Sequence, residues 1–232
     1  MATISGNLQQ LQERIETACE AAGRPVQSVT LLTVSKTFSG DAVREAFAAG
    51  ARRFGENYVQ EGLDKIAELG DLRSQIEWHL IGPLQSNKTR PVAEAFDWVH
   101  SVDRLKTAQR LSDQRPTGMA PLQICLQVNI SGEASKSGVA PLELPALARA
   151  VAALPRLRLR GLMAIPEPAA DLLAQRAPHR ALADLLAELN RQGLSLDTLS
   201  MGMSADLEAA IAEGASIVRV GTAIFGGRAA AI

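Results

Sequence analysis

Three features of this sequence have residue types and spacing suited to chemistry. The first is a lysine. The stretch "LLTVSKTFSG" (31–40) begins as an apolar strand and ends in Ser35-Lys36. Lysine is scarce in this chain, five residues against nineteen arginines. Its amine can lose a proton and attack a carbonyl, which a guanidinium cannot do. A lysine closing a core strand is therefore a candidate nucleophile, set against the plainer reading of a solvated strand-ending charge.

The second feature is a pair of turns, "LSMGMSADLEAAI" (199–211) and "RVGTAIFGG" (219–227). Each runs from a strand through small residues, and the first leads into a helix. Such turns aim backbone N–H groups and hydroxyls at one point and let an anion approach closely. Singly they are ordinary strand-to-helix turns; at neighbouring strand ends they form a phosphate cradle. The third feature is Arg219, flanked by Val218 and Val220. Period-2 alternation sends the valines to one face and the guanidinium to the other, into the mouth of a barrel. A buried guanidinium needs an acceptor, which Glu56, Asp206 or a ligand would supply. Amine, cradle and arginine together match a phosphorylated aldehyde, and pyridoxal phosphate is the obvious one.

The elements that must position these groups alternate along the chain. A leading amphipathic helix over about 6–22 carries Leu8, Leu11, Ile15 and Ala18 on one face. Strands are expected at "SVTLLTVS", "RRFGE", "IEWHLIG", "DWVHSV", "LQICLQVNI", "LRLRGLMAI", "LDTLSMGM" and "SIVRVGTAIFG". Helices are expected at "DAVREAFAAG", "NYVQEGLDKIAEL", "DRLKTAQRLSDQ", "LPALARAVAAL", "HRALADLLAELNRQ" and "ADLEAAIAEG". Asp41, Asp103 and Ser204 sit where N-caps belong, and Gly50, Gly193 and Gly214 where helices stop. "AIPEPAADLLAQRAP" (164–178) predicts a long loop. Eight strands alternating with helices imply parallel pairing and right-handed crossovers. That count favours an α/β barrel of the (β/α)8 TIM type over a doubly wound open sheet, in one domain over 1–232. The strand ends then form the functional rim: Lys36, Glu56-Asn57, His79, Ser101, Asn129, Met163, Ser200–Ser204 and Arg219–Thr222.

The formal net charge of −1 and hydrophobic content of 47% show no bias toward nucleic acid or an anionic membrane. No apolar run approaches a bilayer span, and "MATISGNLQQLQERIETACEAAG" has no apolar leader. Cys19 and Cys125 lack metal-ligand spacing and read as buried free thiols, so no metal site is expected and the compartment is cytoplasmic by default.

"TVSKTF", "RRFGENYVQE", "WHLIGPLQSNK", "LQVNISGEASKSG", "GLMAI", "LSMGMSADLEAAI" and "VRVGTAIFGGR" resemble, in order and over nearly the whole chain, the pyridoxal phosphate homeostasis proteins. The resemblance implies a single barrel similar to the N-terminal domain of alanine racemase, fold type III of the pyridoxal phosphate proteins without the C-terminal β domain. It implies that Lys36 carries the cofactor as a Schiff base. Ser200, Gly202, Ser204, Gly221 and Thr222 would hold the phosphate, Arg219 would face the pyridine nitrogen, and Asn57 would lie beside the ring. The family is understood to buffer or deliver pyridoxal phosphate, with apo-enzymes as recipients, so a non-enzymatic, monomeric carrier is expected. The alternative is a low-activity racemase or lyase. The related racemase opposes its lysine with a tyrosine from a partner's C-terminal domain; the only tyrosine in this sequence, Tyr58, follows the second strand, so one base is missing. A charged guanidinium beside the ring nitrogen also weakens the ring as an electron sink. Lys136, in the loop "SGEASKSG", is a candidate second lysine for handing the cofactor on, against the reading of a solvated loop charge.

Overall fold

The computed structural model describes residues 3–132 and 137–226; Lys136 lies outside the described residues. Eight parallel strands close into a barrel in sequence order. They are β1 (Thr30–Val34), β2 (Arg53–Glu56), β3 (Glu77–Leu80), β4 (Trp98–Val102), β5 (Leu122–Gln127), β6 (Leu157–Met163), β7 (Thr198–Ser200) and β8 (Ile217–Val220). The closing register pairs Leu32 with Arg219 and Thr33 with Val220. Alternation divides the side chains as expected of a barrel. Ile124, Leu126, Val218 and Val220 enter the large core under the helices. Leu32, Val34, Ile81, Trp98, Cys125, Met163 and Ile217 form a separate cluster.

The helices are α1 (Ile4–Ala21), α2 (Gly40–Ala48), α3 (Val59–Glu68), α4 (Thr89–Ala95), α5 (Leu105–Gln114), α6 (Leu144–Ala152), α7 (Leu172–Arg191), α8 (Leu207–Ala212) and α9 (Thr222–Phe225). The leading helix α1 buries Leu8, Leu11, Ile15 and Ala18, the face its periodicity predicts. It packs on α8 and α9, the elements that follow β7 and β8. Arg14 forks onto Glu208 at 2.5 and 2.7 Å, and Asn7 Nδ2 donates to the Ile224 carbonyl at 2.7 Å. The helix added to the barrel thus braces both turns of the expected cradle.

Gly50, Gly193 and Gly214 all take positive φ just past a helix, as expected of helix stops. The caps differ from expectation. Ser39 rather than Asp41 caps α2. Asp103 pairs with Arg104 at 3.2 Å instead of capping α5. Asp206 stands at the N-cap of α8, its Oδ1 accepting the Met203 N–H at 2.7 Å. Of these three helices only α2 has a side-chain oxygen on a first-turn N–H; α5 and α8 begin without one. The loop after β6 is shorter than expected, because Asp171 caps α7 by accepting the Ala174 N–H and the helix runs through Pro178. Helix α4 was not among the expected helices; Pro91 falls in its first turn, where the missing N–H costs no helical bond. The eighth strand stops at Val220, and the chain turns at Gly221 into α9.

Candidate functional site

Strand β1 delivers Ser35-Lys36 to the rim, where a buried polar cluster fixes the backbone on both sides of the lysine. Lys65 of α3 donates to the Ser35 carbonyl at 2.7 Å, to Glu56 Oε1 at 2.8 Å and to Glu61 Oε1 at 2.7 Å. The Ser35 hydroxyl donates to Glu56 Oε1 at 2.6 Å, and the Thr37 N–H donates to Glu61 Oε1 at 2.5 Å. Thr37 has φ +68°, a left-handed conformation unfavourable for a β-branched residue and held by its surroundings. Burial pushes the Glu56 carboxyl up, against the opposing pull of Lys65 and Ser35. Glu56 is therefore a partner of Lys65; it does not serve Arg219.

Lys36 is half-buried and borders a cavity of about 400 Å³ together with Asn57, Ser204, Arg219, Gly221 and Thr222. Val34, Phe38, Ile81, Ile165 and Met203 give that cavity apolar walls. The Phe38 and Phe225 rings stack with centroids 4.7 Å apart, joining the turn after β1 to α9. Because Asp206 takes the N-cap of α8, Ser204 is left on the cavity wall. Gly221 is required by space: a Cβ there would meet the Val34 carbonyl oxygen at 2.8 Å, where the turn after β8 presses on β1. Asn57 Oδ1 is buried without a hydrogen-bond partner.

Two expected phosphate residues sit elsewhere. Ser200 is fully buried; its hydroxyl accepts from Arg219 Nη1 and lies 2.8 Å from His100 Nδ1. It is not on the cavity wall. Gly202 lies behind the turn at φ +92°, where a Cβ would come within 2.5 Å of the Ala210 Cβ. Its carbonyl accepts the Arg219 backbone N–H at 2.9 Å.

Arg219 points into the barrel as the alternation predicts and is 4% exposed. Neither Glu56 nor Asp206 forms an ion pair with it among the described residues. Its Nη1 donates to the Ser200 carbonyl at 2.5 Å and the Ser200 hydroxyl at 2.8 Å, and Nη2 to the Ala164 carbonyl at 2.9 Å. Neutral oxygens thus satisfy three of its N–H groups. Burial pulls the guanidinium down to about 10, against the attraction of Asp206, so it stays a cation at neutral pH.

The sequence reading missed what lies under Arg219. His79, expected on the rim, lies inside the barrel against His100, and both rings are fully buried. The signal was present in "EWHL" and "WVHSV", where His79 and His100 share the inward parity of Glu77 and Trp98. On the opposite face an open cleft of about 540 Å³ borders Arg52, Arg53, Arg73, Glu77, Asp97 and Arg160 among others. Its arginines pair largely within the chain, Arg53 with Glu77, Arg73 with Asp97 and Arg160 with Asp197. Among the described residues there is no cluster of three or more His, Cys, Asp or Glu that could hold a metal ion. No described helix is long and apolar enough to cross a membrane. Both cysteines are free and buried.

The family model for the alanine racemase N-terminal domain matches residues 6–229. A pyridoxal phosphate homeostasis protein of Pseudomonas aeruginosa is 65% identical over 228 residues, covering 98% of this chain and 97% of that protein. Its counterpart in Escherichia coli is 54% identical over 229 residues, covering 98% of each. PipY of Synechococcus elongatus, solved with pyridoxal phosphate bound, superposes with a TM-score of 0.85 at 40% identity, over 97% of this chain and all of that one. With full-length matches at these identities and the same closed barrel, the chain belongs to the pyridoxal phosphate homeostasis proteins, within the alanine racemase N-terminal domain family.

Proposed function

We propose that this protein binds pyridoxal phosphate in the 400 Å³ cavity, covalently at Lys36, and buffers or delivers it without a turnover of its own. The observation that carries the reading is the convergence on one cavity of Lys36 from the end of β1, Ser204 after β7, and Arg219, Gly221 and Thr222 at the end of β8. The relative PipY, which was solved with the same cofactor bound, supports it. When bound, the cofactor supplies an aldehyde that an amine captures as a Schiff base, and a phosphate that requires donors.

The residues present fit that group. Lys36 supplies the amine. Ser204, Thr222 and the backbone around Gly221 supply phosphate donors in a turn that glycine keeps open. Arg219 presents a fixed cation to the ring nitrogen, and the partnerless Asn57 Oδ1 offers an acceptor beside the ring. Ser200 and Gly202 serve from behind, one holding Arg219 and the other shaping the turn.

Two observations favour carriage over catalysis. The only titratable groups on the cavity wall among the described residues are Lys36 and Arg219, whereas moving a proton between two faces of a carbon needs a second base. Tyr58, at the N-cap of α3, is 58% exposed and not on that wall. The buried free thiols Cys19 and Cys125 agree with a reducing cytoplasm.

The test is to load the purified protein with pyridoxal phosphate and follow three readouts: the Schiff-base absorbance, reactivation of an added apo-enzyme, and racemisation or elimination of amino acids. Uptake with reactivation and no amino-acid turnover is expected. Steady turnover of an amino acid would replace this reading with the racemase or lyase alternative.

A further inference from the structure

A hydrogen-bonded chain crosses the barrel interior from its N-terminal face to the cavity. Glu77 Oε1 lies 3.0 Å from His79 Nε2, and His79 Nδ1 lies 2.9 Å from His100 Nε2. His100 Nδ1 lies 2.8 Å from Ser200 Oγ, which lies 2.8 Å from Arg219 Nη1. Glu77 borders clefts on the N-terminal face, whereas Arg219 borders the candidate cofactor cavity.

The two ends dictate the direction of every link. A guanidinium only donates and an ionised carboxylate only accepts. Burial would raise Glu77, but the hydrogen bond from His79 and the nearby Arg53 guanidinium hold its carboxyl below its ordinary value, so it is ionised. Burial pushes both imidazoles below their ordinary range, His100 well below it, so both are neutral. His79 must then carry its proton on Nε2, facing Glu77, and accept at Nδ1. His100 in turn carries its proton on Nε2 and accepts the Ser200 O–H at Nδ1. This leaves the Ser200 oxygen lone pairs for Arg219. One consistent set of protons satisfies all four links, from a cation at the cavity to an anion at the far face.

We propose that His79 and His100 are positioning residues for Arg219. They fix the Ser200 hydroxyl as an acceptor toward Nη1 and tie the orientation of the guanidinium at the cofactor cavity to the Glu77 carboxylate on the opposite face. The proposal rests on the reading that the cavity takes pyridoxal phosphate. A purely packing role for the histidines would require neither this proton direction nor the distant charge.

The test uses the full chain loaded with pyridoxal phosphate. Nitrogen-detected NMR of the imidazoles should find both His79 and His100 as Nε2–H tautomers. Glu77→Gln removes the terminal charge and lets the chain run either way; Ser200→Ala cuts the link beside Arg219. Each should weaken binding by about 2- to 30-fold, the range of energetic coupling carried through such networks, and shift the pH profile of the bound cofactor's absorbance. Arg53→Met removes the outer partner of Glu77 but leaves its bond to His79, and should change neither. A proton on His100 Nδ1, or a folded Glu77→Gln protein with wild-type affinity and spectrum, overturns the proposal while leaving the cofactor reading intact. Absence of uptake by the wild type overturns both.

Discussion

Lys65 Nζ lies 2.7 Å from the carbonyl oxygen of Ser35, one residue before Lys36. Two amines therefore meet at the same strand end with opposite fates. Lys65 is 5% exposed and uses all three N–H bonds on Ser35, Glu56 and Glu61. Such a charged, saturated amine has no lone pair to offer an aldehyde. Lys36 is the lysine that borders the cavity among the described residues.

Borohydride reduction of the protein loaded with pyridoxal phosphate, followed by peptide mapping, should place the pyridoxyl adduct on the peptide containing Lys36. Lys36→Ala should abolish the Schiff-base absorbance. An adduct on Lys65 or Lys136, or undiminished absorbance in Lys36→Ala, would contradict the assignment.

Lys65→Met keeps much of the side-chain volume but strands a buried carboxyl. Glu56 is fully buried, and its Oε2 already lacks a partner. Removing one member of a buried ion pair costs about 3–5 kcal/mol, so a marked drop in urea midpoint is expected. Adding Glu56→Gln, which removes the unpaired charge, should restore part of the loss. Additive losses in the double variant would mean that the two side chains act independently.

Phosphate retention should depend on the wall residues and far less on the covalent bond. Ser204→Ala and Thr222→Val each remove one hydroxyl. A hydrogen bond to a charged group is worth about 1.5–3 kcal/mol, so each should weaken pyridoxal phosphate binding by roughly 10- to 150-fold. Unphosphorylated pyridoxal should bind the wild type weakly and be insensitive to both changes. If pyridoxal affinity falls in parallel, these hydroxyls contact some other part of the ligand.

The barrel was legible because its cause is local. Eight apolar runs separated by helical periodicity, with Gly50, Gly193 and Gly214 closing helices, leave few parallel topologies open. The rim placement of Lys36 and the inward turn of Arg219 follow from strand parity, and parity survives small errors in strand length. What the sequence concealed was partnership across the barrel. Arg219 and Ser200 are 19 positions apart and Ser200 and His100 are 100 apart, so no local pattern joins them. Only closure of the sheet brings β4, β7 and β8 side chains to one axis. The same distance hid Lys65 behind Ser35: residue type marks a lysine as solvent-facing, but Lys65 shares the buried face of α3 with Val59 and Gly62, where a buried carboxylate outweighs that tendency.

The buried histidines set an expected pH dependence of stability. Burial holds both His79 and His100 below the ordinary imidazole value, which is about 6.5 in the unfolded chain. Between the folded and unfolded values the unfolded chain binds more protons. Stability from these groups is therefore complete above about pH 6.5 and is lost as pH falls below it, by up to about 1.4 kcal/mol per pH unit for each histidine. Glu77 is held below its ordinary value, so its contribution is lost only as pH falls below about 4.3, outside the histidine window. Glu56 works the other way, because its raised carboxyl favours the folded state at low pH. The difference between proteins isolates the histidines: urea unfolding at pH 5.5, 6.5 and 7.5 should show a shallower loss toward acid for His100→Leu than for the wild type. Parallel pH profiles for the two proteins would mean that His100 takes up its proton in the folded barrel as readily as in the unfolded chain.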